Sequence, residues 1–503
     1  MRKLFLVACL LLMGVPLACA QSVQTSPDVL LGPVHSLPSG SDSEEIIGVH
    51  PDGYYSLVKG KAQFTLERLD ASLQKVRESQ FTLGPADARR EYEYAVQMQG
   101  NVYLFSSLTG EGKKKNNLYA QVLNRETLLP EPTLVKVGEM DAQQKKDGGS
   151  YLFGLSPDST KLLVYALGTD QRRQAERISF RVLDEQLQVL RTKDVDLAYD
   201  DELFAVRTVE VDDQGRVAVA GIEFTDKPKF VVKDKPNYRY HVLCYLPGEE
   251  NPYDYVVEAE GKFISGLRVA STGTGKWVCS GFYSETNHTD GKGIFYQTLS
   301  TDRKAASKIR FGAFDEAFVA EVLGKKRTRP GDEIPYCKLD YLVLKESGGA
   351  MLVGEVRYSV SSGNFSTSIY EDIVVINISS EGAILWSKCI AKYQKNEMAP
   401  YFCSYFMASD SEHLYLLFSD NGKNTDLEPG KTPAVLAGMS LSVVVSLVTL
   451  DERGTAGRTV LMENDTNRPH VQIGLSKQLS RQAVILQGKS AGKYCYNRFK
   501  PGA

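Results

Sequence analysis

The residues of this sequence best suited to chemistry are grouped acids. Asp200-Asp201-Glu202 follows Tyr199 directly, and like charges set side by side raise one carboxyl pKa, which is how carboxylates hold a cation or run acid–base chemistry. Arg89, Arg90, Arg468 and His470 stand in other connecting stretches. They become charge stabilisers for the same site if the fold carries those stretches together. Arg89, Arg90, Tyr199, Asp200, Asp201, Glu202, Arg468 and His470 are therefore the candidate binding residues, and none is assigned a catalytic role. The plainer reading of an acidic run is a solvated surface.

Motifs with a fixed mechanism are missing: there is no GxSxG elbow, no HExxH and no P-loop. Gly273-Thr274-Gly275-Lys276 runs into Trp277 and reads as a hairpin turn. Asp420 to Asp426 has the flavour of a calcium loop, but Gly422 falls where a side-chain ligand belongs, so a solvated loop is expected. The six histidines, His35, His50, His241, His288, His413 and His470, show no i,i+4 pair and read as structural. Cys244, Cys279, Cys337, Cys389, Cys403 and Cys495 contain no CxxC pair and mostly sit inside apolar runs, the pattern of small buried hydrophobes. No metal and no cofactor is expected.

Residues 1–20 read as a signal peptide. Arg2 and Lys3 precede an apolar stretch from Leu4 to Val15, and Ala18-Cys19-Ala20 supplies a small-x-small cleavage site, which puts the mature start at Gln21. Cys9 and Cys19 each lack part of a lipobox, because the first has too short an apolar run before it and the second has Pro16 upstream. The expected location is periplasmic or extracellular, which leaves room for association with an outer membrane. The chain has 59 basic and 62 acidic residues, net −3, and loss of the leader's two cations takes it to −5. Such a balance speaks against a nucleic-acid partner. Pro433 to Leu450 is uncharged, but Ser440, Ser442 and Ser446 recur at even spacing, so it is expected as an alternating strand and no transmembrane span is assigned.

What must position the candidate residues is strand after strand: short runs of Val, Ile, Leu, Tyr and Phe separated by turn signals. Arg216 to Gly221 is small and β-branched almost throughout, which suits a strand buried on both faces. A repeat emerges, in which a first strand, a tight turn and a second strand are followed by a variable loop, a third strand, a tight turn and a fourth strand. Turns of the first kind are Pro51-Asp52-Gly53, Gln99-Gly100-Asn101, Pro157-Asp158-Ser159, Asp213-Gln214-Gly215, Gly273 to Gly275, Ser347-Gly348-Gly349 and Ser409-Asp410-Ser411. Units open near residues 45, 91, 150, 204, 263, 337, 401 and 470. This predicts one all-β domain over 21–503, a β-propeller of four-stranded blades, with eight blades preferred over seven plus an appended unit. The last unit supplies only three strands before the chain stops, and Asp28 to Val34 is an orphan strand at the start. Pairing the two closes the ring and hides its open edges.

The stretch Glu371-Asp372-Ile373-Val374-Val375-Ile376-Asn377-Ile378-Ser379-Ser380-Glu381-Gly382-Ala383-Ile384-Leu385-Trp386-Ser387-Lys388 resembles the repeat unit of secreted bacterial β-propeller proteins, where a polar-Gly turn leads into a strand carrying Trp. Phe64 to Val76 matches it loosely. The resemblance implies fold and no activity, since propellers host many unrelated functions.

Long inserts fall in the second-to-third and fourth-to-first connections: Gly110–Asn117, Thr225–Asn237, Ser284–Lys292, Ser359–Tyr370, Asp420–Ser440 and a helix-bearing 315–335. Both connection types leave a blade on the same face, so one face is elaborated and the other plain. Its charges are mixed and tyrosines are interspersed, which suits a protein or an envelope glycan. The function expected is a non-catalytic binding or scaffolding propeller of the cell envelope. The alternative is a glycan-active hydrolase or lyase with dispersed carboxylates at the channel mouth.

Overall fold

The structure is a computed structural model. It describes residues 25–502 apart from 62, 86–88, 110–114, 142–150, 169–174, 201–202, 274, 303, 325–327, 364, 397–401, 429, 438–442 and 466. Eight blades form a ring. Their inner strands begin at Ser41, Glu91, Leu152, Phe204, Phe263, Cys337, Phe406 and Lys477, and each blade runs outward as an antiparallel meander of four strands. Blade 5 splits its outer strand into Ala305–Ala306 and Arg310–Ala313.

Every strand shows side chains to both sides of its blade, so each blade contributes to two cores. In Val217–Phe224, Val217 and Val219 pack toward blade 3, whereas Ala218, Ala220 and Ile222 pack toward blade 5. That is why Arg216 to Gly221 reads as an unbroken apolar run. Among the described residues there are eight such cores, one at each boundary between neighbouring blades.

The ring closes as expected. Val29–Ser36 pairs antiparallel with Lys493–Phe499, with Leu30 opposite Arg498 and His35 opposite Tyr494, and becomes the outer strand of blade 8. Because blade 8 shares one core with blade 7 and another with blade 1, it is part of the ring and no appended unit. Polar bonds reinforce this last seam: Tyr494 donates to both oxygens of Glu67 at 2.8 Å, and Ser56 and Tyr496 hydroxyls meet at 2.9 Å. Gly32 lets the closing strand lie close, since a Cβ there would meet the Tyr496 carbonyl oxygen at 2.4 Å.

Three local expectations need correction. Within Pro433–Leu450 a two-residue strand, Leu436–Ala437, precedes the long one, which starts at Val443 and whose Ser446 is buried against Asp420, so it alternates between two cores and not between core and water; Ser440 and Ser442 lie outside the described residues. Ser359 to Tyr370 is no loop but the far end of a long hairpin, Ala350–Ser362 with Phe365–Ile378. The Asp420 segment is solvated only in part: Lys423, Thr425 and Asp426 are exposed, but Asp420 is buried, accepts from Asn424 and pairs with Arg458, and Gly422–Asn424 forms a short 3-10 turn. The connection from Thr225 to Asn237 holds a small ribbon of Val231–Val232 with Lys235–Pro236. The helical expectation is met by α1 (Glu316–Leu323), capped by Asp315 accepting from the Phe318 amide at 2.8 Å. No helix among the described residues is long and apolar enough to cross a membrane.

Candidate functional site

In an up-and-down meander the second-to-third and fourth-to-first connections leave from the same face, and here those of blades 4 to 7 are tied to one another. Phe230, from blade 4, stacks on His288 of blade 5 with ring centroids 4.3 Å apart. Blade 5's connection is fastened to the helical insert, whose Glu333 accepts from Ser284 at 2.5 Å, Thr286 at 3.0 Å and the Glu285 amide at 2.9 Å. Ile334 forms a bridge with Gly291. The insert then reaches blade 6, where Tyr336 and Tyr358 lie 5.2 Å apart and the Arg357 amide donates to the Tyr336 carbonyl. Finally Gln394–Asn396 of blade 6 pairs in parallel with Leu436–Ala437 from blade 7's insert. These contacts make a continuous rim across four consecutive blades.

Tyrosines stand on this rim. Tyr336 is 45% exposed, Tyr358 donates to Glu371 at 3.1 Å, and Lys395 lies over the Tyr393 ring at 5.5 Å. Aromatic side chains held by such bonds offer large contact area with little rotamer entropy to lose.

Beneath the rim, between blades 6 and 7, is a buried ionic network. Lys392 Nζ lies 2.6 Å from Glu355 Oε1 with both side chains fully buried. Arg357 pairs with Asp340 at 2.8 Å and with Glu355 at 3.4 Å. Tyr405 donates to Asp340, Ser404 to the second oxygen of Glu355, and Lys392 also to Gln394. Asp340 is the extra residue of a bulge between Leu339 and Tyr341, the device by which a strand re-aims one side chain. Burial pushes the Asp340 carboxyl up, and Arg357 beside it works against that. Two carboxylates thus face two cations, and ionised groups so enclosed are tolerated only when paired and hydrogen-bonded. The arrangement holds the base of the rim in shape; none of these acids stands without a cation.

The candidate residues from the sequence fall in several places. Arg89 is exposed. Arg90 turns into its own blade and donates to Ser106 at 2.9 Å and Gln121 at 2.7 Å. Arg468 does likewise in blade 8, donating to the Gly32 carbonyl and Asn497. His470 is half-buried, and burial lowers its pKa. Asp201 and Glu202 lie outside the described residues, as does the side chain of Asp200 at the end of Val189–Asp200. Tyr199 alone joins a constellation: its hydroxyl donates to Asp254 at 2.8 Å and meets His241 Nδ1 at 3.1 Å, and its ring stacks on Phe204.

That constellation is what sequence reasoning missed. His241 Nδ1 faces Asp254 at 2.9 Å and Nε2 faces Glu223 at 3.1 Å, with Glu223 held in turn by Arg239. His241 is nearly inaccessible, at 3% exposure. Blade 3's outer strand is therefore tied through Tyr199 to three strands of blade 4, a structural clamp. The only sequence signal was Arg239 and His241 at alternate positions in an otherwise apolar strand. Among the described residues no group of three or more His, Cys, Asp or Glu side chains could hold a metal ion.

No protein-family model and no curated protein matches the chain. Solved structures similar to it include the WD40 domain of SCAP from fission yeast, 8% identical over 95% of this chain and 97% of that one, TM-score 0.39. The Dos1 propeller is 11% identical over 94% and 95%, TM-score 0.37. A Penicillium chrysogenum alpha-L-arabinanase complexed with arabinobiose is 11% identical over 66% and 93%, TM-score 0.31. These likenesses concern the course of the chain and say nothing of its ligands.

Proposed function

We propose that this chain is an exported, non-catalytic binding or scaffolding propeller of the cell envelope, which holds a protein or glycan on the face carrying the tied connections of blades 4 to 7. The observation that carries this reading is the rim itself. Connections from four blades are locked to each other by side-chain and backbone contacts, and they present Tyr336 and its neighbours above a charge-balanced base. Pre-organised aromatic surface of that kind lowers the entropy lost on binding. Export rests on the leader-like residues 1–20. The test is capture of immobilised envelope glycan and envelope protein by the purified chain. Tyr336→Ala with Tyr358→Ala should lower retention at least tenfold, while Asp200→Ala with Asp201→Ala should leave it unchanged. Release of new reducing ends or unsaturated sugars from the glycan, abolished by the aspartate pair, would overturn the reading in favour of a hydrolase or lyase.

A further inference from the structure

We propose that the channel wall of blades 4 to 6 is a binding site for a phosphate group, held by Arg207 and Arg268 with the hydroxyls of Tyr240 and Tyr341. The site lies on the inner strands and does not depend on the rim. Register sets its members at one height. Arg268 stands three positions before Ser271, which lies opposite Trp277 at the end of blade 5's inner strand, and Tyr341 stands three before Leu344, opposite Ala350 in blade 6. Arg207 stands four before Val211 in blade 4, but it is the extra residue of a bulge between Val206 and Thr208, which takes up one position. Inner strands are flanked by a neighbouring blade on either side, so the exposure of Arg207, and of Tyr341 at 36%, is toward the channel.

What marks this wall is unfilled donor capacity. Among the described residues Arg207 makes no hydrogen bond and no ion pair, and Arg268 makes one bond, from Nε to the Asp340 carbonyl at 3.2 Å. The rings of Tyr240 and Tyr341 meet those of Tyr238 and Tyr405, but their hydroxyls bond to nothing there. Burial pushes the Tyr240 hydroxyl up to about 12 and both guanidiniums work against that, so it lies in the field of each. The neighbouring acids are already engaged. Glu210 faces Arg268 but accepts from Thr208 at 3.0 Å, and burial pushes its carboxyl toward the neutral form. Asp340 is taken by Arg357 and Tyr405. Two cations side by side with Glu210 as a partial counter-charge repel each other until an anion joins them.

The donors choose the ligand. Groups that offer N–H and O–H and accept little fit an oxyanion better than a cation or a neutral sugar. Every N–H of Arg207 and all but one of Arg268 are free, more than the two oxygens of a carboxylate can use in one plane. The terminal oxygens of a phosphate accept from several directions at once. The phosphate comes either free or on a larger molecule that reaches into the channel, and the same contacts serve both.

The experiment is isothermal titration calorimetry on the whole chain at about 0.15 M chloride, where loose surface pairing is screened. Inorganic phosphate should bind, and glucuronate, which carries a carboxylate, should bind about tenfold more weakly or worse. Arg207→Gln, at an exposed position, should cut phosphate affinity about tenfold or more and leave the melting curve unchanged, with Arg268→Gln as the second variant. Arg77→Gln, on the outer strand of blade 1, should change nothing. Glucose 6-phosphate bound more tightly than inorganic phosphate supports a phosphate borne on a sugar; affinity no greater supports free phosphate. Absence of phosphate binding, binding indifferent to Arg207→Gln, or a preference for glucuronate overturns the proposal. None of these outcomes touches capture on the rim, which Tyr336 and Tyr358 report separately.

Discussion

Lys392 and Glu355 meet at 2.6 Å with neither side chain open to solvent, although they come from opposite sides of blade 6's third strand. Removing one partner strands a buried charge. Lys392→Met should therefore cost about 3–5 kcal/mol in denaturant unfolding, and adding Glu355→Leu should return part of that loss, with a coupling energy of about 1–3 kcal/mol in the double-mutant cycle. Strictly additive losses would show that the two side chains act separately.

Ring closure gives a second expectation. Deleting residues 21–38 uncovers the whole edge of Lys493–Phe499 and removes Leu30 and Leu37 from the core between blades 8 and 1 and Val29 and Leu31 from the core between blades 7 and 8. The deleted chain should melt lower and associate through that edge; a monomer with an unchanged melting curve contradicts the closure. Gly32→Val is the point-mutant version and should destabilise by about 1–3 kcal/mol through overpacking.

A buried acid sets a pH dependence. Burial pushes the Asp372 carboxyl up to about 6 from 3.8, opposed by the Lys392 amide and the Cys389 thiol that bond to it. A folded pKa above the unfolded one means the neutral form favours the fold below about pH 4, and that contribution is lost as pH rises through about 6. The full swing is about 3 kcal/mol. Asp372→Asn, a neutral mimic, should remove that slope between pH 4 and 7 in urea titrations; an unaltered slope places its origin elsewhere.

The clamp at the boundary of blades 3 and 4 should respond in proportion to what is removed. Tyr199→Phe deletes one hydroxyl and should cost about 1 kcal/mol. His241→Leu leaves Asp254 and Glu223 without their shared partner and should cost about 2–4 kcal/mol. Equal effects of the two substitutions, measured by urea unfolding, would mean that the histidine does not bridge the carboxylates.

Architecture was legible because strands advertise themselves locally. The turn residues and the unbroken apolar run of Arg216 to Gly221 carry their own geometry, and the unpaired strands at the two ends of the chain asked for each other. Polar constellations do not advertise themselves so. Lys392 and Glu355 are distant in sequence, and alternation says only which side of a blade a residue takes, never which charge waits on the next strand. Serines at even spacing in Pro433–Leu450 looked like a wet face because period two marks two sides; in a blade with neighbours on both sides, Ser446 meets Asp420 where water was expected. Arg90 and Arg468 looked available for a shared site, since nothing in the sequence shows that Gln121 and Asn497 already accept from them.

The closing strand leaves the two ends of the described chain side by side: the Lys500 amide donates to the Asp28 carbonyl at 3.0 Å. Topologically the ring then has no privileged beginning. A short peptide joining the old ends, with a new opening at a plain-face turn such as Asp213-Gln214-Gly215, yields a circular permutant in which blade 4 becomes the one assembled from both termini. All eight inter-blade cores would persist in it. What changes is the order in which a growing polypeptide completes them, so the native cut, between the two outer strands of blade 8, governs the course of folding and not the identity of the folded state.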